Sequence, residues 1–224
     1  MSILSRYASR SVLPGPAERL APGRTALVVV DMQNDFCAPG GYIAEALGKD
    51  VSGLAAIVAP LQALLDSARA AGVPVVWLAA SYEEESLPPS MIAQRRRLGV
   101  EAVCCRKGSW GADFFGVGPA ENEPVFVKHT YSGFSNPKLE LHFAGRGIEA
   151  LAFCGVQTNV CVESTLRDAH ARGFDIAIVS DAVASHAPQL HEATLANVRF
   201  LFGDVPTSTD LIALWAAARD AAAA

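Results

Sequence analysis

Five short apolar runs punctuate the chain, at residues 25–31 (TALVVVD), 74–80 (PVVWLAA), 124–128 (PVFVK), 150–155 (ALAFCG) and 174–180 (FDIAIVS). Continuous runs of this length, bounded by Gly, Pro and polar residues, are expected of strands buried on both faces. Between them the period lengthens. Residues 54–71 (LAAIVAPLQALLDSARAA) have helical spacing and stop at Gly72, a good C′ residue; Pro60 has to sit near the first turn or kink the helix. Residues 137–144 predict a short helix closed by Gly145 or Gly147. Residues 160–172 predict one stopped by Gly173, and residues 191–200 another. The 200–205 region is a candidate sixth strand. Residues 81–123 show no period and mix Gly, Pro and charge, and loops this long are uncommon unless functional.

Strands alternating with helices imply parallel βαβ units, so the predicted fold class is α/β, an open parallel sheet with helices on both faces. In such sheets ligands collect at the carboxyl ends of the strands, where the strand order reverses. Residue chemistry at those ends therefore matters most. Asp31 ends the first run, Lys128 ends the third, and Cys161 lies just past the fourth.

Length and composition narrow the picture. A chain of 224 residues with 51% hydrophobic and 18% charged residues suits one compact domain over residues 1–224, with 1–24 as an extension and the alanine-rich 216–224 as a frayed tail. The net charge is −5, and Arg95, Arg96 and Arg97 form the only tight basic run, read as a solvated helix face or a subunit contact. No nucleic-acid partner is expected. The first residues carry Arg6 and Arg10 without a continuous apolar stretch, and no window approaches the ~18 apolar residues a membrane helix needs, so neither a secretory signal nor a membrane partner is expected. Five cysteines without a framework spacing read as reduced thiols, which points to a cytoplasmic protein.

Each chemical candidate has two readings. Cys161 falls in the first turn of a predicted helix, where free N–H groups and the positive dipole end favour a thiolate and can hold an oxyanion. It could equally be a buried structural cysteine such as Cys154. Asp31 is a base facing the crevice or a loop cap, and Lys128 a site cation or a surface lysine. Other chemistries lack their spacing. The five histidines (129, 142, 170, 186, 191) form no His-x-His or His-Glu-x-x-His pair, and Gly-x-x-x-x-Gly-Lys, Gly-x-Gly-x-x-Gly after the first strand, and Gly-x-Ser-x-Gly are absent.

Together, the segment from Val29 through Asp31-Met32-Gln33-Asn34-Asp35-Phe36, the strand-end Lys128, and Gly155-Val156-Gln157-Thr158-Asn159-Val160-Cys161-Val162 resemble the isochorismatase-like cysteine hydrolases over residues 25–215. The resemblance implies a three-layer α/β/α fold on a six-stranded parallel sheet. It implies a catalytic triad of Asp31, Lys128 and Cys161, a cis peptide between Val156 and Gln157, and an oxyanion site at the amides of Val156, Gln157 and Cys161. Isochorismatases proper lack the cysteine, so Cys161 argues for amide-type acyl transfer. Nicotinamidases carry a metal-binding Asp/His cluster early in the chain; here no histidine precedes His129, so neither metal nor cofactor is expected.

Pro39-Gly40-Gly41-Tyr42, Lys107-Gly108-Ser109-Trp110, Tyr131-Ser132-Gly133-Phe134 and the stretch Thr158 to Asp168 look like the ureidoacrylate amidohydrolases. Ala79 and Ala80, and His129-Thr130 after Lys128, depart from that pattern. The implied partner is a small ureido or amide molecule, with Asn34, Phe36, Trp110, Tyr131 and Ser132 as candidate substrate-binding residues and a homo-oligomer (dimer or tetramer) as the assembly. N-carbamoyl amino acids and biuret remain alternative substrates. A non-catalytic binding protein of the same fold and a thiol redox or acyl-transfer enzyme remain alternative classes.

Overall fold

A computed structural model describes residues 12–223; the start of the predicted extension, with Arg6 and Arg10, lies outside the described residues. A short helix, α1 (Pro16–Arg19), leads into β1 (Thr25–Val30), whose six residues are all buried. Two four-residue helices follow, α2 (Asn34–Cys37) and α3 (Tyr42–Glu45). A 3₁₀ segment then runs into α4 (Val58–Ala70), with Pro60 in its first turn, where the missing N–H costs no helical bond. Gly72, at φ +71°, closes it. Then come β2 (Val75–Ala80), α5 (Pro89–Leu98), β3 (Val125–Lys128), α6 (Pro137–Gly145), β4 (Ala150–Val156), α7 (Glu163–Ala171), β5 (Asp175–Ala184), α8 (Pro188–Asn197) and α9 (Ser208–Ala223).

The strands form one parallel sheet in the order β3-β2-β1-β4-β5. The side chains of β1 divide between two cores. Leu27 and Val29 pack with Leu61, Leu64, Trp77 and Trp215 under α4 and α9, while Ala26, Val28 and Val30 pack with Leu139, Phe143 and Leu166 under α6 and α7. Helices cover both faces of β1, β2 and β4, which is why those sequences are apolar throughout rather than alternating; the edge strand β3 departs from the expected two-sided burial, with Val125 and Val127 41% and 42% exposed. β1 is central, and the chain leaves it toward β2 on one side and reaches β4 on the other, so the reversal of order lies between β1 and β4.

Two expectations need correction. Among the described residues the sheet has five strands, not six. Residues 198–202 wind into a π-helical turn that holds Phe200 and Leu201 outward, 85% and 66% exposed. Past it residues 204–206 run beside β5, with Asp204 N donating to Ile176 O (2.9 Å), Ile178 N to Asp204 O (3.0 Å) and Ser180 N to Pro206 O (2.9 Å), but form one isolated bridge, Ala177–Asp204, rather than a strand. The apolar run 200–202 therefore does not enter the sheet. Residues 81–123 are not irregular throughout: α5 starts with Pro89 at N1 and ends at Gly99 in the left-handed region, as helix-end rules favour. The alanine-rich stretch from residue 216 continues α9 to Ala223.

The far end of the 81–123 segment is tied down by Glu123. Its carboxylate accepts from Arg69 Nε (2.8 Å), the Trp77 indole (2.7 Å) and the Ala120 amide (3.0 Å). No helix among the described residues is long and apolar enough to cross a membrane.

Candidate active site

Asp31 follows directly on β1, buried, with φ +49°, a conformation non-glycine residues rarely adopt. Its amide donates to Leu78 O (3.0 Å), and Gln33 cross-links the same two strand ends: Oε1 accepts from Ala80 N (2.7 Å) and Nε2 donates to Ala80 O (3.2 Å) and Ala112 O (3.0 Å). Lys128 ends β3 in register with Ala80 and is 1% exposed, among the largest fully buried side chains.

Cys161 sits in a π-helical turn (Thr158–Val162) that joins β4 to α7, immediately after the cis peptide Val156–Gln157. Gly155 precedes it at φ +102°, where β4 runs so close to β1 that a Cβ would lie 2.1 Å from Val30 O. Only glycine allows this approach. The turn is fastened by Thr165 Oγ1, which donates to Cys161 O (2.7 Å) and accepts from Gly133 N (3.0 Å).

These three side chains converge. Lys128 Nζ lies 2.8 Å from Asp31 Oδ2, 3.1 Å from the Tyr82 hydroxyl, 3.1 Å from Thr130 O and 3.4 Å from Cys161 Sγ. An ammonium has three hydrogens, so the long contact to sulfur is the weakest of the four. The Asp31 carboxyl also interacts with the Cys161 thiol; apart from Lys128 and Cys161, neither Asp31 oxygen has a hydrogen-bond partner among the described residues. Tyr82, absent from the sequence expectations, places its hydroxyl 3.7 Å from Cys161 Sγ. It obeys the same rule that singled out the other three, lying just past the carboxyl end of β2.

Burial governs the electrostatics. It raises the Asp31 carboxyl above its ordinary range, with Lys128 opposing the shift. It pushes the Cys161 thiol up to about 12, and the charge of Asp31 adds to that while Lys128 offsets part of it. Burial alone would lower the Lys128 ammonium, but Asp31 and Cys161 beside it hold it above its usual value. The expected thiolate at a helix start is therefore not the resting form: desolvation and a neighbouring carboxylate outweigh the amide dipoles. An ionised Asp31 facing the Lys128 ammonium, beside a neutral thiol, would keep the net charge of the site at zero.

Above the sulfur is a cavity of about 220 Å³. Phe36, Tyr42 and Ile43 form one wall, and Met91, Gln94, Arg95 and Leu98 of α5 form the roof. Tyr82, Tyr131, Gln157 and Cys161 line the inner end, with His186 beside Gln157. Phe36 and Tyr131, expected at the substrate, thus line the cavity. Three others do not. Asn34 is buried with Nδ2 donating to Trp110 O (2.8 Å), a loop tie. Trp110 is 54% exposed and stacks against Gly40. Ser132 donates to Asp168 (2.5 Å) and accepts from Phe134 N, capping a turn.

One group has donors for a metal. Asp35, Cys104 and Cys105 have their candidate ligand atoms within 4.8 Å of one another. Both carboxylate oxygens of Asp35 already accept backbone N–H groups, from Tyr42 (3.1 Å) and Cys105 (2.5 Å), and Gly111 leaves room for that carboxylate against its backbone. The arrangement reads as a clasp between two loops.

Residues 25–210 match the family model described as the isochorismatase domain. The chain is 39% identical over 210 residues to the ureidoacrylate amidohydrolase RutB of Methylobacterium radiotolerans, covering 86% of this chain and 80% of that one. It is 34% identical to the protein of the same name from Azorhizobium caulinodans, covering 89% and 94%. Among solved structures, a cysteine hydrolase from Pseudomonas syringae pv. phaseolicola superposes with a TM-score of 0.80 at 28% identity, covering 94% of this chain and 99% of that one.

Proposed function

The chain belongs to the isochorismatase family, and from that premise we propose that it hydrolyses the ureido C–N bond of a ureidoacrylate-type substrate through an S-carbamoyl intermediate on Cys161. It is a family hydrolase acting on C–N bonds. The finer reading rests on one observation: a carboxyl, an ammonium and a thiol from three strand ends meet in one buried cluster whose sulfur lines a single cavity.

Asp31 is the base. As Cys161 Sγ bonds to the carbonyl carbon, the thiol proton passes to the Asp31 carboxylate, so no free thiolate has to be held in the dry floor. The carbonyl π electrons move to oxygen, and the amides of Gln157 and Cys161 are assigned as its donors. Collapse of the tetrahedral centre breaks the C–N bond, and the proton on Asp31 goes to the leaving nitrogen. A water then gives a proton to Asp31 while its oxygen attacks the S-carbamoyl carbon; collapse expels sulfur, which recovers the proton. Lys128 holds Asp31 ionised between steps, and its positive charge offsets the anion that forms nearby.

Cys161→Ala is expected to lose at least ~10³-fold in turnover of ureidoacrylate while unfolding cooperatively like wild type, since a nucleophile has no substitute. Asp31→Asn should fall comparably. Mass spectrometry of quenched wild-type reactions should find the carbamoyl mass on the Cys161 peptide. Near wild-type turnover by Cys161→Ala removes the proposal.

A further inference from the structure

The walls of the substrate cavity carry one permanent charge. Among the lining residues there is no Asp or Glu, and the only Lys or Arg is Arg95. His186, also in the lining, is held below its usual pKa by burial and so is neutral at pH 7. Asp31 and Lys128 are beneath the floor and cancel each other.

Arg95 is also unlike its peers. Four arginines among the described residues are part-buried: Arg19, Arg24, Arg95 and Arg172. Arg19 meets Asp204 (2.8 Å), Arg24 meets Glu149 (2.6 Å) and Asp175 (2.9 Å), and Arg172 meets Glu140 and Asp168 (3.1 Å each). Arg95 has no carboxylate partner among the described residues. Its guanidinium donates to three neutral carbonyls, Tyr82 O (3.3 Å), Glu101 O (3.4 Å) and Ala102 O (2.7 Å). These contacts fix its position without neutralising it. A guanidinium has five N–H donors in a planar fork, so donors remain for a planar anion. A positive group pinned by carbonyls on the wall of an otherwise uncharged, aromatic-lined cavity is arranged for a negatively charged guest.

We propose that Arg95 is the carboxylate subsite of this cavity, holding the acid end of the substrate while the ureido carbonyl lies over Cys161. The enzyme then selects ureido acids over uncharged amides and over biuret, which have no group for it. This assignment rests on the ureidoacrylate-type reading and deepens it. Arg95 shares the wall with Gln94, whose Oε1 accepts the Tyr131 hydroxyl at 3.0 Å, so the acid end enters beside a polar strip that reaches toward the sulfur.

The test compares wild type, Arg95→Gln and Arg95→Lys on a ureido acid and on its methyl ester. Charge-assisted hydrogen bonds are worth about 1.5–3 kcal/mol, so Arg95→Gln should lower kcat/KM for the acid by roughly 10–100-fold, mostly through KM, and leave the ester within about twofold. Arg95→Lys should recover part of the preference for the acid. An equal loss on acid and ester, or no loss on either, overturns the assignment.

A second measurement does not depend on turnover. Alkylation of Cys161 by anionic iodoacetate, relative to neutral iodoacetamide, should fall several-fold in Arg95→Gln; an unchanged ratio overturns the subsite. If wild type hydrolyses no ureido compound but the alkylation ratio still depends on Arg95, the ureidoacrylate reading fails and the anion subsite stands.

Discussion

The floor and the roof of the cavity are built in opposite ways. The floor is carried by the ends of β1, β3 and β4: Cys161 lines it with Asp31 and Lys128 buried beneath, all three are no more than 4% exposed, and the sheet fixes the backbone that delivers them. The roof is α5, where Met91 is 8% exposed, Arg95 is part-buried and Leu98 is 65% exposed. A dry floor can keep a carboxylate and an ammonium 2.8 Å apart beside a neutral thiol, because removing water makes every charge depend on its neighbours. A half-wet roof cannot do that, but it can present a charge to whatever enters. On the proposed mechanism and subsite, proton chemistry belongs to the floor and choice of substrate to the roof.

The largest effects should come from breaking the floor. Lys128→Met leaves Asp31 buried with no cation, so the carboxyl takes up a proton and ceases to be a base. Turnover should fall by ~10²–10⁴-fold, and denaturant unfolding should show a loss of about 3–5 kcal/mol. Normal activity in that variant would mean the pair is ornamental. Next comes pH. The base must be ionised, so kcat/KM should rise with pH through an Asp31 limb displaced above the ordinary carboxylate range. No alkaline fall from the thiol is expected until near its pKa of about 12. The same raised carboxyl has a stability consequence: its contribution is complete below its unfolded pKa, ~3.9, and is lost as pH rises through the raised folded value.

Smaller effects sharpen the boundary between the two regions. Tyr82→Phe removes the hydroxyl between Lys128 and the sulfur but leaves the ammonium its contacts with Asp31 and Thr130. About a tenfold drop in kcat with KM unchanged is expected from losing one charged hydrogen bond. A rise in KM alone would move Tyr82 to the substrate-selecting side. Trp110→Ala should change kcat and KM by less than about twofold, since the side chain is exposed and outside the cavity.

Legibility in the sequence follows the same division. Of the floor strands, β1 and β4 could be read because each is buried on both faces, β3 only as a short apolar run at the sheet edge, and Asp31, Lys128 and Cys161 stood out as chemistry at or just past the ends of those runs. Tyr82 stood near such an end too, but an aromatic two residues past Ala80 looks like core. The roof was unreadable for a different reason. With one of its ten residues buried, α5 carries too few apolar positions to set a helical period, and only its Pro and Gly punctuation marked it. Phe200 and Leu201 misled in the opposite direction, apolar but facing out. The thiolate expectation failed because local sequence reveals a helix start and not the depth at which the sulfur lies.

Glu123 accepts three separate donors where the roof segment rejoins the sheet at β3. That anchorage sets the register in which β3 delivers its lysine, so the solvent-facing positions of α5 can be rewritten without moving the ammonium.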